Sequence, residues 1–335
     1  MGRTPVPADR VAQFLDDILA SPVELAAVIG AQRAVLASLP GGVLGEALAR
    51  PRRVLIGMGS SRFAALDAAA RWRLAGLDAA AEMASASGPS RGGADTLAIV
   101  ISSSGSTVEA VAAAKRHRAA GSAVIAMTSR PGSALAWEAD IVMPLRGTRA
   151  ETSGIATLSY RATVAGLLTM DRDAGVDAQL DAAPAALGQV IADRAGWVSA
   201  AADLLDTGRE IHVLADGFLA GTAEQAALML REAPRIAAPP YDTGDWLHVG
   251  LYTLFPGDAV LLIAGSPADA EAISTIRARG GRVVVIGPNR EGAHLAIPAG
   301  QSHAGSAVAA VLTVSLAVEL LAVELWGRAG RQRAT

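Results

Sequence analysis

The feature that most constrains this chain is a repeating alternation of short apolar runs with helical stretches. Residues 53–56, 96–101, 122–127 and 141–144 are each four to six residues long and apolar almost throughout. Runs of that length are too short for helices, and unbroken hydrophobicity marks strands buried on both faces. Between them, residues 61–74, 108–120, 133–138 and 155–170 carry helix-forming patterns. A second shorter strand is expected within 77–83. The second half repeats the plan with strands at 209–215, 259–264 and 282–286. Thr96 and Ala259 stand 163 residues apart, Ser122 and Arg282 160. Duplication of one unit explains the near-constant offset. The expected fold class is α/β, with two parallel sheets, each flanked by helices in a flavodoxin-like three-layer sandwich.

The expected organisation is an N-terminal helical segment over 1–44, a first α/β domain over 45–172, a connecting helix over 173–198 and a second domain over 199–330. Val11, Phe14, Leu15, Ile18 and Leu19 fall at helical spacing, and Ser21-Pro22 is expected to divide 8–38 into two helices.

Charge and composition exclude several functions. The net charge is −3 and no long basic run occurs, so no nucleic-acid surface is expected. The basic tail at 328–333 reads as a frayed terminus. With no cysteine there is no disulfide, thiolate nucleophile or Cys-ligated zinc. The N-terminus shows no apolar signal core. The apolar stretch 307–326 is interrupted by Glu319 and Glu324, which suits a buried core helix better than a membrane span. A cytoplasmic protein is expected. Asp242 and Asp245 with one histidine are too thin for a metal site. The histidines His117, His212, His294 and His303 are read as structural. The expectation is no metal and no cofactor.

Two loops carry the chemistry, because ligands of open α/β sheets bind where strands give way to helices. Ser102-Ser103-Ser104-Gly105-Ser106-Thr107 offers five hydroxyls around one glycine at a helix start, a setting that suits a phosphate dianion. A serine-rich N-cap without ligand is the alternative. No lysine follows, so this is not a Walker loop. Gly57-Met58-Gly59-Ser60-Ser61 suggests a dinucleotide turn with Glu82 as ribose ligand, but Arg62 stands where the third glycine is needed. Arg146 and Arg149 could meet an anionic substrate or simply be solvated.

The segments GMGSSRFAALDAAARW, DTLAIVISSSGSTVEAV and GSALAWEADIVMPL together resemble the sugar isomerase (SIS) domain. The resemblance extends along nearly the whole chain as two SIS repeats. It points in particular to the isomerase half of glucosamine-6-phosphate synthase and to the related ketosamine-6-phosphate deaminases and deglycases. It implies that Ser60, Ser61, Ser102, Ser104 and Thr107 hold the phosphate and nearby hydroxyls of a sugar phosphate. Ser103 and Ser106 replace the family's Gln and Glu, and Glu151 matches a sugar-contacting Glu. In ALMLREAPRIAAPPYDTGDWLHVG, the resemblance places Glu232 as the proton-transferring group and His248, 16 residues on, as the ring-opening group.

Departures accompany these matches. Ala156, Leu158 and Met229 stand where the family has Ser, Lys and Lys, and the family's lysine-bearing C-terminal tail and its glutaminase domain have no counterpart. The resemblance therefore implies an amino-sugar or ketosamine 6-phosphate deaminase, deglycase or aldose–ketose isomerase. A non-catalytic sugar-phosphate sensor and a stand-alone isomerase subunit remain alternatives. It also implies a homodimer in which His248 completes the partner's site.

Overall fold

The computed structural model describes residues 8–207, 209–299 and 307–331. Its contacts divide the chain into two compact units, one of Met1–Ser21, Thr152–Ile155 and Ala185–Thr335, the other of Pro22–Glu151 and Ala156–Pro184.

In the second of these, β1 (Arg52–Gly57), β2 (Asp78–Met83), β3 (Thr96–Ile101), β4 (Ala123–Thr128) and β5 (Ile141–Pro144) form a wholly parallel sheet in the order β2-β1-β3-β4-β5. Pleating sends alternate side chains of these apolar runs to opposite faces. Val54, Ile56, Ala98, Val100, Val124 and Ala126 meet Ala110, Ala113 and Ala114 of α4 (Val108–Ala119). The alanines let helix and sheet approach closely. Helices α3 (Ser60–Leu74) and α5 (Leu158–Thr169) pack on one another, and α3 packs on β1 and β2. Every residue of α5 is buried, Arg161 included.

The other unit repeats the topology. β6 (Ile211–Ala215), β7 (Pro240–Asp242), β8 (Ala259–Ile263), β9 (Arg282–Ile286) and β10 (Leu295–Ile297) pair in parallel as β7-β6-β8-β9-β10. Counted from the first strand, both sheets read 2-1-3-4-5, the flavodoxin-like order expected from the duplicated pattern. One face of the second sheet packs Leu214, Val260, Leu262, Val283 and Val285 against Trp246 and against Ala272, Ile273 and Ile276 of α10 (Asp269–Ala278). α8 (Ala220–Glu232) packs on β6 and β7, while α7 (Val198–Leu205) packs on β8 to β10. Both contact α11 (Ala307–Arg331). The span Ala310–Ala329 is long and apolar enough to cross a membrane, but 78% of its most apolar window is buried inside the fold. It is a core helix, as the interrupting glutamates suggested.

Several local expectations are corrected. Residues Ala8–Ser38 form one helix, α1, with Pro22 inside it. Pro22 has no N–H for the Ile18 carbonyl, yet Phe14, Ile18, Leu25, Val28 and Ile29 stay in helical phase and are all buried. Burying such side chains is worth about 1.5–3 kcal/mol each, which outweighs one lost bond. A short helix, α2 (Val43–Leu48), follows Pro40-Gly41-Gly42. Tyr241–Asp245, polar enough in sequence to read as a loop, is regular structure. It contributes to β7 and to α9 (Thr243–Trp246), with the Asp242 carboxylate accepting the Asp245 N–H as a helix cap. Arg328 is not part of a frayed tail: its guanidinium bridges Asp203 and Glu324. Helix α6 (Ala174–Asp193) occupies the stretch expected to connect the repeats.

Candidate functional site

In a 2-1-3-4-5 sheet the chain leaves β1 and β3 in opposite directions, opening a crevice beyond their carboxyl ends. Both serine loops of the first sheet stand there. After β1 the backbone turns tightly: a Cβ on Gly57 would lie 2.9 Å from the Ser61 Cβ, and Gly59 has a φ of +53°. Ser60 and Ser61 open α3, half-buried, with hydroxyls that make no hydrogen bond among the described residues.

After β3 the hydroxyls divide three ways. Ser102, buried at 5% exposure, pairs with Thr107 across the loop (Oγ to Oγ1 3.0 Å). Ser103 pairs with Ser129 at the end of β4 (3.0 Å). Ser104 and Ser106 are exposed and bond one another (3.1 Å). Thr107 occupies the cap position of α4, yet its side chain caps nothing. The hydroxyls therefore do not serve as a simple helix cap. They line a loop whose turn is fixed by Gly105, at φ +63° and packed against Ser133 and Thr128.

Ser103 and Ser104 open onto a cleft of about 370 Å³, within the range of small-molecule sites. Ser129 and Arg130 beyond β4 also line it, as do Arg146 and Arg149 beyond β5, with Glu24, Glu151 and Ser159. Two carboxylates shape its wall. Glu24 on α1 accepts the Thr148 and Arg149 N–H groups at 2.7 and 3.0 Å, and the Thr148 hydroxyl. Burial pushes its pKa up, but these bonds and the nearby Arg149 charge hold it below the usual carboxylate value. Glu151 accepts the N–H groups of Thr157 and Ser159 and the Ser159 hydroxyl at the start of α5. There burial prevails over the bonds and raises the pKa.

Other groups singled out in the sequence serve the framework. Glu82 accepts from the Ser90 N–H and hydroxyl, pinning the loop after β2. His117 is buried against Ser122, His212 lies between Glu210 and Trp246, and His294 accepts the Val283 N–H. His303 lies outside the described residues.

The cleft thus brings together Ser103, Ser104 and Glu151. Ser102 and Thr107 brace the loop behind them. Glu232 and His248 belong to the other unit. Glu232 ends α8, exposed, in a hollow lined by Arg231, Arg235, Ile236 and Ala237. His248 follows α9, also exposed and outside that hollow's lining, and its imidazole has no hydrogen-bond partner among the described residues. The second sheet's own crevice is built differently: beyond β8, the Asp269 carboxylate accepts the Gly265 N–H at 2.9 Å with Arg290 nearby. An internal carboxylate stands there in place of a hydroxyl loop.

Sequence reasoning missed Glu24, Ser129 and Arg130 as cleft residues. Ser129 and Arg130 had a signal, since they follow a strand at the carboxyl edge of the sheet. Glu24 had none: it lies more than 120 residues from the loop it holds.

Comparison with known proteins fits this geometry. The model of the SIS domain matches residues 48–169. Glutamine–fructose-6-phosphate aminotransferase (isomerizing) of Aeropyrum pernix is 31% identical over 209 residues, covering 58% of this chain and 34% of that protein. The chain spans about a third of the length of the curated relatives it matches. Among solved structures, the C-terminal domain of glucosamine-fructose-6-phosphate aminotransferase from Francisella tularensis aligns with a TM-score of 0.75, at 16% identity and over 95% of this chain and 96% of that one. Tagatose-6-phosphate ketose/aldose isomerase from Escherichia coli aligns with a TM-score of 0.77, at 18% identity and over 98% and 95%. The structural likenesses carry the fold.

Proposed function

We propose that this chain, which carries a SIS domain over residues 48–169 and is homologous to the isomerase domain of the fructose-6-phosphate aminotransferases, is an enzyme acting on an amino-sugar or ketosamine 6-phosphate as a deaminase, deglycase or aldose–ketose isomerase. The observation that carries the reading is the convergence of the serine loop and Glu151 on one cleft. Exposed hydroxyls and helix-start N–H groups receive the phosphate without a lysine, with Ser60, Ser61, Ser102, Ser103, Ser104 and Thr107 supplying the hydroxyl set. Glu151 faces the sugar body. His248 takes the ring hydroxyl proton and opens the ring. Glu232 then removes the C2 proton of the open chain and returns it at C1, or the reverse. The working form is a cytoplasmic homodimer in which His248 serves the partner's cleft, so neither group need share a hollow within one chain.

The test is a panel of hexosamine and fructosamine 6-phosphates, assayed for released ammonia, released amine and isomerised sugar. Turnover that E232Q abolishes while thermal stabilisation by substrate persists is the expected result. Turnover surviving in E232Q would remove Glu232 from the chemistry. A sensor is the second reading, favoured by Leu158 and Met229 standing where the resemblance implies lysines. Ligand-induced stabilisation with no turnover across the panel would establish it.

A further inference from the structure

We infer that the cleft reads a second anionic group on its phosphosugar, a carboxylate or another phosphate, through Arg130 and Arg146. The inference rests on the proposed function and adds the substrate's charge.

The serine loop already provides for one phosphate with neutral donors alone: hydroxyls, and N–H groups at the start of α4. No cation lies within 102–107. Yet Arg130, Arg146 and Arg149 line the same cleft, carried on the loops after β4 and β5. Two carboxylates face them there, and neither is free to neutralise Arg130 and Arg146. Glu24 is committed to Thr148 and Arg149. Glu151 is committed to Thr157 and Ser159, and its burial favours the neutral acid. Arg130 and Arg146 are exposed and make no ion pair among the described residues. Ser129 and Ser103 are tied together, which joins the loop bearing Arg130 to the serine loop. The Glu24 clamp on Thr148 and Arg149 positions the loop bearing Arg146. Two guanidinium groups that line one cleft from tethered loops, with no ion pair among the described residues, suit an oxyanion, since the planar fork matches carboxylate or phosphate geometry.

The site differs in kind from the phosphate loop beside it. Hydroxyls and amides read an anion by hydrogen bonds, whereas guanidinium groups add charge and favour a ligand of higher total negative charge. A sugar bearing only the 6-phosphate leaves Arg130 and Arg146 facing water. One bearing a further carboxylate or phosphate fills both subsites.

The experiment compares three probes by calorimetry on the full chain: fructose 6-phosphate, fructose 1,6-bisphosphate and 6-phosphogluconate. At least one doubly anionic probe is expected to bind about tenfold tighter than fructose 6-phosphate, or more, because charge-assisted bonds are the strong ones. Which of them gains names the second group as phosphate or carboxylate. R130Q/R146Q should erase that preference while changing fructose 6-phosphate affinity by no more than about twofold. If the double variant melts early, the single variants R130Q and R146Q make the same comparison. Equal binding of all three probes by the unmodified protein overturns the inference alone. So does an equal loss for all three in the variants, which would assign the arginines to the 6-phosphate itself. Absence of binding by every probe overturns the proposed function and this inference together, and S104A/T107A, expected to weaken all three alike, reports on that function independently.

Discussion

A Cβ added to Gly147 would lie 2.6 Å from Oε2 of Glu24 and 2.8 Å from the Glu24 carbonyl oxygen. The loop after β5 is therefore pressed onto α1 at a point with no room for a side chain. G147A must push the loop away or break the Glu24 clamp. The expected cost is about 1–3 kcal/mol, read as a lowered urea midpoint, together with weaker binding of doubly anionic phosphosugars as Arg146 shifts. An unchanged midpoint would mean that the clamp carries no strain.

Glu24 and Glu151 line one cleft but titrate in opposite directions. The pKa of Glu24 is held below 4.5, so its contribution to stability is present above that value and lost as pH falls through its folded value. That of Glu151 is raised above 4.5, so its contribution is full below that value and is lost as pH rises through its folded value. E24Q should therefore cost more stability at pH 7 than near pH 3, and E151Q more near pH 4 than at pH 7. Denaturation across that range checks both slopes. Parallel slopes for the two variants would contradict the assignment.

Gly105 fixes the serine loop. Its φ of +63° is a left-handed conformation, and a Cβ there would meet the Ser133 side chain and lie 2.7 Å from Thr128 Oγ1. G105A should cost about 1–3 kcal/mol and abolish thermal stabilisation by phosphosugars. Retained stabilisation would show that the loop's turn is not needed for binding.

Trp246 donates its indole N–H to His212 Nδ1 at 2.9 Å, which leaves His212 Nε2 to donate to Glu210. W246F strands a buried acceptor. A loss of about 1–3 kcal/mol is expected, and the NMR signal of the His212 Nε2 proton should broaden as its tautomer loses definition. A sharp, unmoved signal would place its fixation on Glu210 alone.

The central strands were legible because each is a run of apolar residues that only a two-sided burial explains. The edge strands β7 and β10 were not. They are three residues long, and β7 opens with Pro240, which cannot donate to a ladder and is tolerated at an edge. Pro22 misled for a related reason: the local penalty is visible in sequence, whereas the buried contacts that outweigh it come from distant segments.

The sequence by itself determined the duplicated α/β plan and the hydroxyl-rich loop after β3, since period, apolar content and loop chemistry are local properties. Tertiary structure alone decided which hydroxyls brace the loop and which face the cleft. It also brought Glu24, Arg130, Arg146 and Glu151 to one wall. Arg130, Arg146 and Glu151 meet because parallel strands deliver their carboxyl ends to the same edge of a sheet, and Glu24 joins them from α1, more than 100 residues earlier in the chain.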